Sequence, residues 1–262
     1  MSEHRIIAFA NQKGGVGKTT SAVNIASGLA AKKYRVLLVD CDPQGNATSG
    51  LGIRKKSSGG SLYDVIIGRS RAADMVCATS VKNLYVLPSS MDLVGAEIEL
   101  IDLPEREARL KNALDSVRES YDFIIIDCPP SLGLLTLNCL TAADGVIIPL
   151  LCEFYSLEGI SQLTQTIRHV KSKVNPSLEL IGVLVNMYDG RLTLTVQVME
   201  EIKRYFGTKL FPRPIPRNVK LSEAPSYGVP IDIYDKYSKG ARAYEETVDE
   251  LLRRCGGKVQ ST

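Results

Sequence analysis

The sequence has no long uninterrupted hydrophobic run, no paired-cysteine motif and no large charge of either sign. Its most apolar long window, Leu134–Cys152, is broken by Asp144, Gly145 and Pro149, which a membrane-spanning helix does not readily accept. The opening MSEHRIIAFANQ carries too short an apolar run for a secretory leader. Six cysteines (Cys41, Cys77, Cys128, Cys139, Cys152, Cys255) are scattered without a C-x-x-C pair, the usage expected of reduced thiols in a cytoplasm. A net charge of only +3 means that nucleic-acid binding needs a local patch rather than bulk charge. Internal repeats, low-complexity linkers and composition shifts are lacking too, so residues 1–262 are expected to form one domain. With 44% hydrophobic and 23% charged residues, a sizeable core is within reach and global disorder is excluded. A soluble, cytoplasmic protein is expected.

What is present is an alternation of strand-like and helical segments. RIIAFA (Arg5–Ala10), RVLLVD (Arg35–Asp40), FIIID (Phe123–Asp127), GVIIPL (Gly145–Leu150) and LIGVLVN (Leu180–Asn186) are near-continuous apolar runs, the mark of strands buried on both faces. Helical spacing is expected over Thr19–Lys33, Leu157–Lys173, Thr195–Phe206 and about Ala241–Cys255. This order predicts an α/β fold, a doubly wound and mostly parallel sheet with helices on both faces. Residues 53–120 are less regular, with a turn-rich Ser57–Ser61 and a helix expected near Pro104–Ser120.

The stretch NQKGGVGKTT (Asn11–Thr20) follows the first strand and opens the first helix, the context of a phosphate-binding loop. Gly14, Gly15 and Gly17 let backbone N–H groups turn toward phosphate oxygens, and the helix N-terminus adds positive potential. Lys18 is placed to contact β- and γ-phosphates, and the Thr19 hydroxyl to hold Mg²⁺. Two features depart from the common pattern: a second lysine, Lys13, and Gln12 where the first glycine is usual. A magnesium–nucleotide site also needs carboxylates at strand ends. Asp127 precedes Cys128-Pro129-Pro130, and Asp40 ends the second strand with Asp42 two residues on. If the extended conformation persists, Asp40 and Asp42 face one side, and one of them can order a water for attack on the γ-phosphate.

Four motifs, KGGVGKTT, LLVDCDPQGNATSGLG, IIIDCPPSLGLLTLN and PRNVKLSEAPSYGVPI, resemble the ParA/Soj partition ATPases of the deviant P-loop (MinD/ParA) class. The resemblance runs from about residue 5 to about residue 250. It implies a P-loop NTPase that hydrolyses ATP with Mg²⁺. It also implies a nucleotide-sandwich homodimer in which Lys13 is the signature lysine, reaching the partner subunit's phosphates. Lys13, Gly14, Gly15, Val16, Gly17, Lys18, Thr19 and Thr20 are then the phosphate-side contacts, and Pro216 and Asn218 the adenine contacts, with Asn186 a weaker candidate. Asp42 matches the water-positioning residue, which with Lys13 and Lys18 makes the catalytic set; Thr19, Asp40 and Asp127 are on the magnesium side. The implied partners are a ParB/Spo0J-like centromere-binding activator and non-specific double-stranded DNA of the nucleoid.

From Ile202 to Ser222 there are six Lys/Arg and no Asp or Glu, a candidate phosphate-backbone patch, although such a run is most often a solvated face. The resemblance puts DNA contacts at Arg191 and Lys220, with Arg217 beside them. Lys220 stands where arginine is expected and lacks its planar fork. No helix-turn-helix precedes the phosphate loop, so operator-specific repression is not expected. A MinD-like membrane ATPase, or one that positions another cargo, is the alternative. Membrane binding is disfavoured because the last helix, ARAYEETVDELLRRC, has more acidic than basic side chains. A reductase sharing an iron–sulfur cluster across a dimer needs a cysteine arrangement not seen here, and a non-catalytic ATP-binding adaptor has no use for Asp42.

Overall fold

The computed structural model describes residues 5–54, 60–153 and 156–256. Most of the turn-rich Ser57–Ser61 and the polar tail after Gly256 lie outside the described residues. In chain order the strands are β1 (Arg5–Phe9), β2 (Val36–Asp40), β3 (Cys77–Ala78), β4 (Leu84–Leu87), β5 (Phe123–Asp127), β6 (Gly145–Leu151) and β7 (Glu179–Asn186). The helices are α1 (Lys18–Ala31), α2 (Asn46–Gly50), α3 (Leu62–Ile66), α4 (Ala72–Met75), α5 (Leu93–Glu99), α6 (Arg109–Asp115), α7 (Leu134–Ala142), α8 (Ser156–Lys173), α9 (Thr193–Phe206), α10 (Val219–Glu223), α11 (Ile231–Tyr234) and α12 (Lys239–Arg254).

The strands form one sheet in the order β3-β4-β2-β5-β1-β6-β7. Every pairing is parallel except β3 with β4, so the sheet is doubly wound and mostly parallel, as the apolar runs predict. Successive residues point to opposite faces, and two cores result. Ile6, Ala8, Leu37 and Val39 pack under α3 and α5–α9. Ile7, Phe9, Val36 and Leu38 pack under α1, α11 and α12. Helix α1 lies close to α12: a Cβ on Gly28 would stand 2.8 Å from Val248 Cγ2.

The irregular region holds a strand that periodicity does not reveal. LYVL (Leu84–Leu87) pairs with β2 in parallel register, Val36 opposite Leu84. It covers the outer edge of β2, while helices on the two faces bury Val36–Asp40. The helix expected near Pro104–Ser120 is shorter, Arg109–Asp115. Glu105 stands at φ +53, which no helix accommodates, and Pro104 cannot donate to a preceding turn.

Candidate functional site

The carboxyl ends of β1, β2, β5 and β7 open on one side of the sheet, where open α/β folds bind ligands. The loop after β1 is tied at both ends. Asn11 Nδ2 donates to Pro149 O (2.7 Å) on β6, and Asn11 Oδ1 accepts from Lys13 N (2.9 Å). At the other end Asn186 Nδ2, on β7, donates to Val16 O at 2.8 Å. Gly15 (φ +73) and Gly17 (φ +85) occupy the left-handed region, which glycine alone enters without cost. At Gly17 the constraint is also steric, because a Cβ would lie 2.7 Å from Asn186 Nδ2. Asn11 and Asn186 are thus positioning residues for the loop; the polar side chains ending each apolar run were their signal in the sequence.

Gly17 passes directly into α1, whose first turn carries no acidic side chain, so its N–H groups and dipole are left for an anion. Lys18 Nζ donates across the loop to Lys13 O at 3.1 Å. Burial lowers the Lys18 pKa, while Asp127, Cys128 and Asp42 pull it back up. Lys13 behaves differently: its side chain, 44% exposed, is ion-paired with Glu153. Gly14, Gly15, Gly17, Lys18, Thr19, Thr20 and Asp42 line a cleft of about 530 Å³. Val16 is buried and contributes only backbone.

Asp40 and Asp127 are paired across neighbouring strands, yet their surroundings differ. Asp40 Oδ2 accepts from Thr48 N and Thr48 Oγ1, both at 2.7 Å, and Oδ1 accepts from Asp42 N at 3.3 Å. Burial raises its pKa to about 6 against those bonds. Among the described residues neither Asp127 oxygen has a partner at hydrogen-bond distance. Burial, then the Asp40 charge, pushes Asp127 well above the ordinary carboxylate value, while Thr19 and Lys18 draw it down. A buried carboxylate without a partner beside a second one is costly unless a cation joins them. The Thr19 hydroxyl and Asp127 supply the hard oxygen donors that Mg²⁺ prefers. The site fits that ion, with Asp40 committed to holding the 42–48 loop.

Asp42 lies at the point where the chain turns off the end of β2. Gly45 N donates to Asp42 O (2.8 Å), and Gln44 N to Asp42 Oδ1 (2.9 Å), so a turn starts at Asp42. The pairing runs one residue past Asp40, with Cys41 N donating to Asp127 O at 3.0 Å, and Asp42 lines the cleft where the turn begins. Pro216 and Asn218 line an adjoining cleft of about 290 Å³ together with Asn186 and Met187. Asn218 Oδ1 also caps α10 by accepting from Lys220 N at 2.9 Å.

The basic residues are less open than the sequence suggests. Arg191 is 87% exposed but makes a fork to Asp189 (2.8 and 2.6 Å), which holds the Asp189 carboxyl at about 2. Arg217 adds to the same field, so the fold brings Arg191 and Arg217 together around one acid. Lys220 pairs separately with Glu223 at 3.0 Å. Lys203 and Arg213 also meet acids, Glu200 and Glu246, from outside the run. Cys41, Cys128 and Cys139 are core residues whose thiols burial pushes up. The apolar side of α12, including Tyr244, Val248 and Leu252, is packed in the core with α1. No described helix is long and apolar enough to cross a membrane.

Comparison with known proteins agrees with this architecture. The family model described as an AAA domain matches residues 4–180. The sporulation initiation inhibitor protein Soj of Bacillus subtilis is 54% identical over 247 residues, 94% of this chain and 98% of that protein. The chromosome partitioning protein ParA of Myxococcus xanthus is 51% identical over 250 residues, 95% of this chain and 88% of that one. A crystal structure of cobyrinic acid a,c-diamide synthase from Mycobacterium smegmatis, with bound ADP and magnesium, superposes with a TM-score of 0.84 at 40% identity. That likeness covers 96% of this chain and 95% of that one. The loop after β1, the paired strand-end carboxylates and these full-length relatives lead to one assignment: the chain belongs to the Soj/ParA family of chromosome-partitioning ATPases.

Proposed function

We propose that the chain hydrolyses ATP with Mg²⁺ and uses the cycle to control an ATP-dependent homodimer that binds DNA without sequence preference. The observation that carries this reading is the buried, partnerless Asp127 carboxylate beside Thr19 and Lys18. Phosphate oxygens take the place of Lys13 O as acceptors for Lys18, and the N–H groups of Gly14 to Thr20 surround them. Thr19 and Asp127 would hold Mg²⁺, which would supply charge neutralisation at the β- and γ-phosphates when bound. Asp42, at the cleft wall, orders and deprotonates the attacking water. Pro216 and Asn218 border the base.

Lys13 serves the dimer. Two closing ATP surfaces bring like charges together, and a lysine from each side offsets them. To do so Lys13 must leave Glu153, an exposed pairing that is weak and easily exchanged. DNA binding by Arg191, Arg217 and Lys220 likewise exchanges Asp189 and Glu223 for backbone phosphates. A ParB-like centromere-bound protein is the expected activator of a slow intrinsic turnover, and hydrolysis then releases DNA. The packing of α12 on α1 leaves that helix no free apolar face for a lipid interface, so DNA is favoured over membrane.

The test is phosphate release with Mg²⁺ or with chelator. Wild type should turn over slowly and only with Mg²⁺. Lys18→Ala should lose ATP binding, whereas Asp42→Ala should bind ATP and hydrolyse almost none. Full turnover by Asp42→Ala would move the water-positioning role to another residue.

A further inference from the structure

Strand β4 ends beside the turn that begins at Asp42. Its last residue, Leu87, stands opposite Val39 in parallel register. Pro88 follows and has no N–H to extend the ladder; its carbonyl instead accepts from Leu62 N at 2.8 Å. The chain leaves the sheet there, so Ser89 stands two residues past Leu87 as Cys41 stands two past Val39. Ser89 is buried, with 1% of its surface exposed.

Both donors of Ser89 go to the loop after β2. Its hydroxyl donates to Asp42 O at 2.5 Å, and its N–H donates to Thr48 Oγ1 at 3.0 Å. Thr48 Oγ1 carries one proton, which goes to Asp40 Oδ2 at 2.7 Å. The amide of Ser89 takes the other side of that oxygen and so sets the direction of the hydroxyl. One residue thus grips the loop at positions 42 and 48. Asp42 O also accepts from Gly45 N at 2.8 Å, and Asp42 Oδ1 from Gln44 N at 2.9 Å. Those donors belong to the turn and move with it. The Ser89 hydroxyl ties the same carbonyl to the end of a neighbouring strand.

We infer that Ser89 is a positioning residue for Asp42: its hydroxyl fixes where the Asp42 carboxylate stands at the cleft wall. The inference rests on the reading of Asp42 as the residue that orders the attacking water. With Oδ1 engaged by Gln44 N, Oδ2 is the oxygen left for that water. Such an arrangement tolerates little displacement, since a shift of about 1 Å can cost about a hundredfold in rate. Neither bond of Ser89 reaches the phosphate loop, so nucleotide binding does not pass through it. The role belongs to the less regular region 53–120, which delivers Ser89 to the site through the pairing of β4 with β2.

The experiment is single-turnover phosphate release from Mg-ATP, with ATP affinity titrated in parallel, on the full chain as wild type, Ser89→Ala, Asp42→Ala and the double variant. Ser89→Ala removes the hydroxyl alone; the N–H to Thr48 remains, and Asp42 O keeps Gly45 N. This variant should bind ATP as wild type does and release phosphate about tenfold more slowly. A generally loosened cleft would weaken binding as well, so the split between rate and affinity isolates positioning. In the Asp42→Ala background the Ser89 change should cost nothing further, because residues that act as one unit are not additive. Amide hydrogen exchange in Ser89→Ala should quicken over residues 42–48 and stay unchanged over residues 14–20. A wild-type rate for Ser89→Ala, a parallel loss of ATP affinity or a further loss in the double variant would each overturn the inference. If Asp42→Ala itself turns over at the wild-type rate, the water-ordering reading fails. Faster exchange over 42–48 would then still establish the hold of Ser89 on Asp42, and unchanged exchange would overturn that too.

Discussion

Asp127→Asn separates the stability of the fold from the needs of the site. Asp40, on the adjoining strand, is pushed by burial from 3.8 to about 6. At 1.36 kcal/mol per pH unit, that displacement sets a cost of about 3 kcal/mol for one negative charge there at neutral pH. Asp127 is displaced well upward in the same sense and is fully buried, so removing its charge relieves the fold in the same direction. Asparagine keeps the shape and removes the charge, although its unpaired amide returns about 1–2 kcal/mol of that gain. The apo variant should therefore be more stable than wild type, within the range of about 0.5–3 kcal/mol common for single substitutions, and should melt a few degrees higher. A carboxylate with a raised native pKa penalises the fold above that pKa, and the penalty fades toward the unfolded value. The advantage should accordingly be present at pH 7 and should close as pH falls toward the ordinary carboxylate value. With Mg-ATP the order should reverse. Wild type gains about 2.7 kcal/mol at a hundredfold excess over Kd, and the variant loses the magnesium-dependent part. Scanning calorimetry in chelator and in Mg-ATP, at pH 7 and pH 4, reads all four states. A variant melting below wild type in chelator at pH 7 would refute the argument.

Gly17→Ala should lower stability by about 1–3 kcal/mol, combining a left-handed alanine with the overlap on Asn186. It should also abolish nucleotide binding in a fluorescent-ATP titration; retained affinity would mean that the loop does not need this geometry. Glu153→Gln frees Lys13 from an exposed ion pair worth at most about 1 kcal/mol. Analytical ultracentrifugation with ATP should show dimerisation at up to about fivefold lower concentration, and a weakened dimer would show that Glu153 supports the interface.

Much of this architecture was legible because its strands are long, apolar and buried on both faces. FIIID occupies its expected bounds, and the other four runs shift by a residue or so. The β4 strand was not legible. Four residues, one of them the half-buried Tyr85, give periodicity too little to work on, and only pairing with β2 makes them a strand. At the site, glycines and lysines declare the phosphate loop, but pairing does not show in a linear sequence. That Asp40 is engaged by Thr48 while Asp127 is bare follows from the turn beginning at Asp42, which strand spacing alone does not foresee. The run of cations from Lys203 to Lys220 reads as an open patch until the fold brings Glu200, Glu246 and Glu223 beside three of its members.

The central claim is that nucleotide state governs DNA affinity, and one titration addresses it. Binding of the Asp42→Ala variant to a non-specific duplex should be measured at one fixed salt concentration, with ATP, with ADP and without nucleotide. The account predicts tight binding with ATP alone, lost when Arg191 is changed to Glu. Equal binding in all three states, or none in any, would contradict it.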